Sequence, residues 1–154
     1  MTPEHFEIDI ANSDGDTLPA QILCEVEYGT ENGISRRLCT VRVNWQTHLF
    51  SSTADDFFAA FSRIREQLET IGASPLCYAA SRNVYPSGLL RDMALGLKAY
   101  KHTLNKRVEL NDVVDIFQYG SDLEIITVEE QERFHQEWLH SLTDLYTEIS
   151  DQEQ

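Results

Sequence analysis

Five side chains able to hold or attack a ligand stand close together in one stretch of the chain: Arg82, Tyr85, Ser87, Arg91 and Asp92, in RNVYPSGLLRDMALGLKAY (82–100). Guanidinium, phenol and hydroxyl groups around a predicted helix start suit an anionic ligand. Such a start presents unpaired N–H groups and the positive end of the helix dipole. A corner of this kind would serve a small-ligand-binding or enzymatic domain. The competing interpretation is architectural: Ser87 caps the helix, Arg91 and Asp92 are surface charges, and Gly96 lets the helix pack closely against a sheet. Ser87-Gly88 lacks the preceding Gly-x of a nucleophile elbow, so the hydroxyl reads first as a cap.

A second constellation is acidic. Glu130, Glu137, Asp144 and Glu148 follow one another at spacings of seven, seven and four. At about 100° per residue they fall within a band of roughly 40° on one flank of a helix. Stacked like charges repel slightly, so the ridge is either a solvated face or a surface for a cationic partner. Asp14 and Asp16 form a smaller acidic group in Asn12-Ser-Asp-Gly-Asp-Thr17. An EF-hand loop would place its glycine after three alternating oxygen ligands and a glutamate six residues later. Here Gly15 falls between the two aspartates and Gln21 stands at the glutamate position, so a hairpin turn is expected.

Other chemistry finds little footing. His135 and His140 are five apart, whereas a zinc pair on one helix face needs three or four; His5, His48 and His102 are scattered. No metal is expected. Cys24, Cys39 and Cys77 each lie in an apolar run, with no CxxC, and read as buried, reduced thiols. No glycine-rich phosphate loop is present, and no cofactor is expected. With 26 acids some close carboxylate pairs are inevitable, so such a pair alone does not identify an acid–base catalyst. The chain reads as a binding protein, not an enzyme.

The net charge of −14 is unevenly distributed. Residues 1–27 carry −7, residues 82–107 carry +5, and residues 108–127 and 128–154 carry −5 and −7. Direct nucleic-acid binding through a general basic surface is disfavoured, because phosphate contacts supply much of that affinity. A basic protein partner is favoured by complementary fields, although acidity also serves solubility alone. A nucleic-acid mimic or acidic adaptor is a further reading, and it would require carboxylates in long, even rows. No run of about 18 apolar residues is present to span a membrane. The N-terminal MTPEHFEIDI lacks a basic flank before an apolar core, so a cytoplasmic location is expected.

The elements that would position these groups follow from periodicity. Phe6, Ile8 and Ile10 alternate with His5, Glu7 and Asp9, which is a half-buried strand. After Asp14-Gly15, residues 18–28 place Ala20, Ile22, Cys24, Val26 and Tyr28 on one face, with Pro19 near the start. After Asn32-Gly33, residues 37–46 place Cys39, Val41, Val43 and Trp45 inward. Turn signals between alternating runs predict an antiparallel meander. Phe57, Phe61, Ile64, Leu68 and Ile71 then form a helical stripe, with a capping box at Ser52 and Asp55 and a stop at Gly72. A strand is expected over 76–81. A helix is expected from Pro86-Ser87, with Leu90, Met93, Ala94, Leu97 and Tyr100 inward and Lys98 and Lys101 at its negative pole. Val113–Phe117 reads as a buried strand. Thr127 and Glu130 open a long helix with Phe134, Trp138, Leu142, Leu145 and Ile149 inward. The expectation is one α+β domain over residues 1–154: a three-stranded antiparallel meander extended by one or two strands and covered by about three helices.

The stretch Leu76–Phe117, with its RNVYPSGLLRDMALGLKAYK core and following VVDIF run, resembles small immunity proteins of bacterial polymorphic-toxin systems. The resemblance spans about a quarter of the chain. It rests on Pro86, Gly88, Met93, Gly96 and Tyr100, residues suited to the fold more than to catalysis, so no active site is carried over. It implies a cytoplasmic inhibitor that binds and neutralises a cognate toxin domain. The acidic terminal segments agree with it, since many toxin domains acting on nucleic acids are basic. On this reading the partner-binding residues are Glu130, Glu137, Asp144 and Glu148, followed by Asp14 and Asp16.

Overall fold

Alternation drives the first half of the chain into an antiparallel sheet. The computed structural model describes the backbone of residues 3–152 and the side chains of residues 3–143. β1 (Glu4–Ala11), β2 (Thr17–Glu31) and β3 (Ile34–Trp45) form the expected meander. Asn12 holds the first turn, its Oδ1 accepting from the N–H groups of Asp14 at 3.0 Å and Asp16 at 2.9 Å. The second turn places Asn32 and Gly33 at φ 54° and 78°, the left-handed pair of a tight hairpin. Pro19 is accommodated because its partner Asp9 turns its carbonyl away from β2, toward the N–H of Leu76.

Two shorter strands complete a five-stranded sheet in the order β4-β3-β2-β1-β5: β4 (His48–Ala54) and β5 (Ser74–Pro75). Its inner face carries Ile8, Ile10, Ala20, Ile22, Val26, Val41, Val43 and Trp45, all buried. Tyr28 shares the face but is 67% exposed, because β2 and β3 run on beyond the core as a two-stranded arm. Cys24, Cys39 and Cys77 are buried and unbridged. Burial is the main cause that pushes the Cys24 and Cys77 thiols up to about 12 and that of Cys39 to about 11. They remain neutral, packed as small hydrophobes.

α1 (Phe57–Thr70) lies across the inner face with Phe57, Phe61, Ile64 and Leu68 buried. Its cap is Asp56, whose Oδ1 accepts from the N–H of Ala59 at 2.9 Å. The expected Ser52–Asp55 box does not form, because Ser52 belongs to β4. At the other end Gly72, at φ 70°, closes the helix with a bond to the Glu69 carbonyl, and Ala73 bonds that of Leu68. Ile71 sits at the C-cap and is half exposed instead of buried.

The second half departs further from its periodicity. Leu76–Ser81 is not a strand: Tyr78–Ala80 forms a 3-10 turn. The expected helix is only α2 (Gly88–Met93). Leu95 and Gly96 adopt φ 55° and 74° and break it, and the Leu95 carbonyl accepts from the N–H of Phe57. Met93 is consequently 77% exposed. Lys98 and Lys101, expected at a helix end, belong to a strand and pair with Asp115 at 2.8 Å and Asp122 at 3.1 Å. Gly96 serves the turn and its close approach to Asp56, not helix-on-sheet packing. A second antiparallel sheet results: β6 (Val84–Tyr85), β7 (Lys98–Lys101) and β8 (Val113–Asp115), in that order. Ile116 and Phe117 follow β8 and join it to the main core, with the Phe117 ring 5.0 Å from those of both Phe6 and Phe61.

α3 (Val128–Gln152) begins as expected at Thr127. The Thr127 hydroxyl accepts from the Glu130 N–H at 3.2 Å and donates to the Glu130 carboxylate at 2.9 Å. Trp138 is buried, and Phe134 and Leu142 are half-buried. Leu145 and Ile149 lie outside the described side chains. No helix among the described residues is long and apolar enough to cross a membrane.

Candidate functional site

The positions of the acidic residues depend on how α1 ends. The Cβ of Ser13, in the β1–β2 turn, would stand 3.1 Å from a Cβ placed on Gly72. Asp14 and Asp16 are therefore carried to the C-terminal end of α1. At the same end the Glu69 carboxylate accepts from the N–H of Val128 at 2.7 Å, which fixes the start of α3 there. A cleft of about 380 Å³ lies between the end of α1, β5 and the start of α3, lined by Glu69, Ser74, Thr127 and Glu130 above the buried Arg65. The fold thus brings Asp14, Asp16 and Glu130 to one end of α1, with Glu69 and no basic residue in the last helical turn. Each of the four is exposed at the surface. Glu137 is exposed two turns further along α3, about 10 Å on at 1.5 Å per residue. Asp144 and Glu148 lie on the α3 backbone, but outside the described side chains. Among the described residues no three of His, Cys, Asp and Glu converge as a metal site would require.

The Arg82–Asp92 corner is built differently from a receptive pocket. Ser87 Oγ accepts from the N–H of Leu90 at 3.1 Å, occupying the start of a six-residue helix. Arg91 pairs with Asp56 at 2.7 Å and lies over the rings of Tyr85 and Phe58, 5.3 and 5.5 Å from their centroids. Asp92 turns toward Arg37 at 3.6 Å, and Arg37 itself donates to the carbonyls of Asp55 and Arg91. Arg82 covers the ring of Phe134 at 5.2 Å. Of the five, Tyr85 and Arg91 share a cleft, a shallow one of about 230 Å³ with Phe58, Arg63, Gln131 and Glu132. The others face separate partners, and the segment braces α2, α3 and the N-terminus of α1.

A scan against models of known protein families finds no match, and a search of curated proteins finds none either.

Two groups escaped the sequence reading because tertiary packing alone assembles them. Arg65 follows Ile64 in α1 and is 2% exposed. Its guanidinium donates to the carbonyls of Ala79 at 2.8 Å and Ile126 at 3.0 Å and to Gln131 Oε1 at 2.6 Å. Gln131 Nε2 in turn bonds the carbonyls of Ala79, Ser81 and Val84. Burial lowers the Arg65 pKa to about 10, so it stays charged at neutral pH. The second group is aromatic: His135 stacks on Tyr85 at 4.0 Å, and His102 lies 4.0 Å from Trp138 and 5.4 Å from His135.

Burial is the main cause holding His102 down at about 4, with repulsion from His135 next; His135 is lowered by burial and then by Arg91. Neither Nδ1 has a hydrogen-bond partner. Both folded values lie below the unfolded imidazole value of about 6.5, so the unfolded chain binds more protons as the pH falls below that value. The stabilisation from keeping these rings neutral is fully present above about pH 6.5 and is lost as the pH falls toward 4. Urea unfolding at pH 7.5 and pH 5 should show a loss on the order of 1–2 kcal/mol from His102. His102→Gln should remove that part of the difference; an unchanged difference would contradict the assignment.

Proposed function

We propose that this protein is an immunity-type inhibitor, which binds a cognate, basic toxin domain and blocks it without chemistry of its own. The observation that supports this best is the gathering of exposed carboxylates at the C-terminal end of α1. A helix C-terminus already carries partial negative charge. Glu69 and Glu130 stand there against the N-terminus of α3, whose positive pole they meet, while Asp14 and Asp16 add exposed negative charge beside them and α1 has no basic residue in its last turn. Such a surface gains from positive charge supplied by another molecule, in speed of encounter and in selectivity. The net charge of −14 and the resemblance of Leu76–Phe117 to immunity proteins point the same way. The rival ligand corner has less to offer: an anion there would have to displace Asp56 from Arg91 or Leu90 from Ser87.

The test is affinity for the C-terminal domain encoded by the adjacent gene, measured with purified proteins. Reversal of two charges, Glu130→Lys with Glu137→Lys, should weaken binding at least a hundredfold, beyond the roughly 0.2–1 kcal/mol of each isolated exposed pair. Asp14→Lys with Asp16→Lys should act in the same direction. Glu130→Gln controls for the cap, since its amide oxygen still accepts from Thr127. Unchanged affinity in both double variants would remove this patch from the interface.

A further inference from the structure

The two edges of the main sheet are unlike. On β4 the outward-facing carbonyl of Thr53 is taken by Arg63 at 2.6 Å, beside a strand that α1 crosses. On β1 the neighbour β5 pairs only with Ile10 and Ala11, and Leu76 adds one bond to the Asp9 carbonyl. Because Asp9 turns its carbonyl away from β2, and strand residues alternate, His5 and Glu7 turn their N–H and C=O the same way. Among the described residues no backbone partner meets them there. β1 has neither lysine nor proline, two devices that blunt such an edge; its charges are all carboxylates, which repel acidic strands and admit basic ones.

A trough runs beside this edge. Its larger part, about 580 Å³, is floored by Phe6, Met93, Ala94, Leu97 and Phe117, with Glu4, Lys98 and Asp115 at the rim. It meets a second cleft at Phe117, bordered by Glu7, Asp9 and Tyr119. Four carboxylates, Glu4, Glu7, Asp9 and Asp115, stand along it against the single cation Lys98. Apolar floor, acidic rim and free main-chain groups describe one kind of occupant.

We propose that the open edge of β1 and its trough receive an extended strand of a protein partner, one that alternates apolar and basic side chains. The partner's main chain bonds His5 and Glu7, its apolar side chains enter between Phe6, Leu97 and Phe117, and its cations, on the other face, meet Glu7 and Asp9. This is strand addition, in which main-chain bonds supply affinity and alternate pockets supply selectivity. Glu4–Ile8, short of the Asp9 carbonyl that Leu76 occupies, offers room for about five residues of partner, roughly 17 Å. The inference rests on the partner-binding reading above and gives it a second surface.

The probe is the peptide acetyl-Lys-Val-Lys-Val-Lys-Val-Lys-amide, titrated into the isotope-labelled full chain. Shift changes and slowed amide exchange are expected at His5 and Glu7, with further changes at Leu97 and Phe117. N-methylation of alternate peptide bonds, or replacement of the lysines by glutamates, should weaken binding at least tenfold. Absence of binding, equal affinity for the N-methylated peptide, or changes centred on Leu49–Ser51 of β4 would overturn the proposal. Glu7→Pro removes one outward N–H, and Leu97→Glu tests the floor should the proline variant fail to fold. Folded Leu97→Glu protein that still neutralises a toxin would sink the trough and leave the immunity reading standing. Peptide binding at β1 without any neutralised toxin would do the reverse.

Discussion

Arg65→Met is expected to lower the stability of the protein by about 2–4 kcal/mol, the cost of leaving two acceptors of a polar network without a donor. The guanidinium joins α1 to the Ala79 and Ile126 carbonyls and to Gln131, and so ties the 3-10 turn and the start of α3 to the sheet-covering helix. Methionine fills similar volume but donates nothing, leaving the Ile126 carbonyl and Gln131 Oε1 buried without donors. For a domain of this size the melting temperature should fall by on the order of 10 °C. Arg65→Lys should recover only part of the loss, because one ammonium on a shorter stem replaces a planar fork that spans three acceptors. Gln131→Leu should behave like Arg65→Met, since three carbonyls share its amide. The two losses should not add, being cuts in one network. Melting within a degree or two of wild type would show that the network orders this region without stabilising it.

Gly96→Ala should cost about 2 kcal/mol or more, for two separable reasons. Gly96 has φ 74°, and a Cβ there would stand 2.6 Å from Asp56 Oδ1 and 3.0 Å from the backbone nitrogen of Phe58. Asp56 is the cap of α1 and the partner of Arg91, so its displacement disturbs both helix ends that meet here. Gly33→Ala isolates the conformational part, because Gly33 has φ 78° and open space around it. Chemical denaturation should show Gly96→Ala as clearly the worse of the two. Equal losses would mean that Asp56 moves aside freely and that the close approach contributes nothing.

The sequence makes the meander legible because each strand has one buried face and each hairpin its turn dipeptide: Ile8 and Ile10 against Glu7 and Asp9, Asn32-Gly33 at the far end. The stripe of α1 is legible for the same reason. β4 is not, since His48–Ala54 sets only half-buried Phe50, Ser52 and Ala54 against β3's covered face and carries serine and threonine between them. The small sheet is concealed by Leu90, Met93, Ala94, Leu97 and Tyr100, whose helical spacing continues after the helix has ended. Two left-handed residues decide that end, and only Gly96 of the two is of a type that announces it. The acidic end of α1 and the Arg65–Gln131 network are products of tertiary packing: residues 13, 69 and 130, or 65 and 131, carry no mark in the sequence of meeting. Ser87 and Gly72 show the opposite case, where local chemistry alone determines the role.

The central claim is that this protein neutralises a basic toxin domain by binding it. The most direct measurement is survival of cells that express the C-terminal domain encoded by the adjacent gene, with and without this protein. The account predicts killing that the wild-type protein relieves, a complex that co-purifies, and relief that fades in the Glu130→Lys, Glu137→Lys double variant. A harmless neighbour, or killing that the wild-type protein leaves untouched, would contradict it.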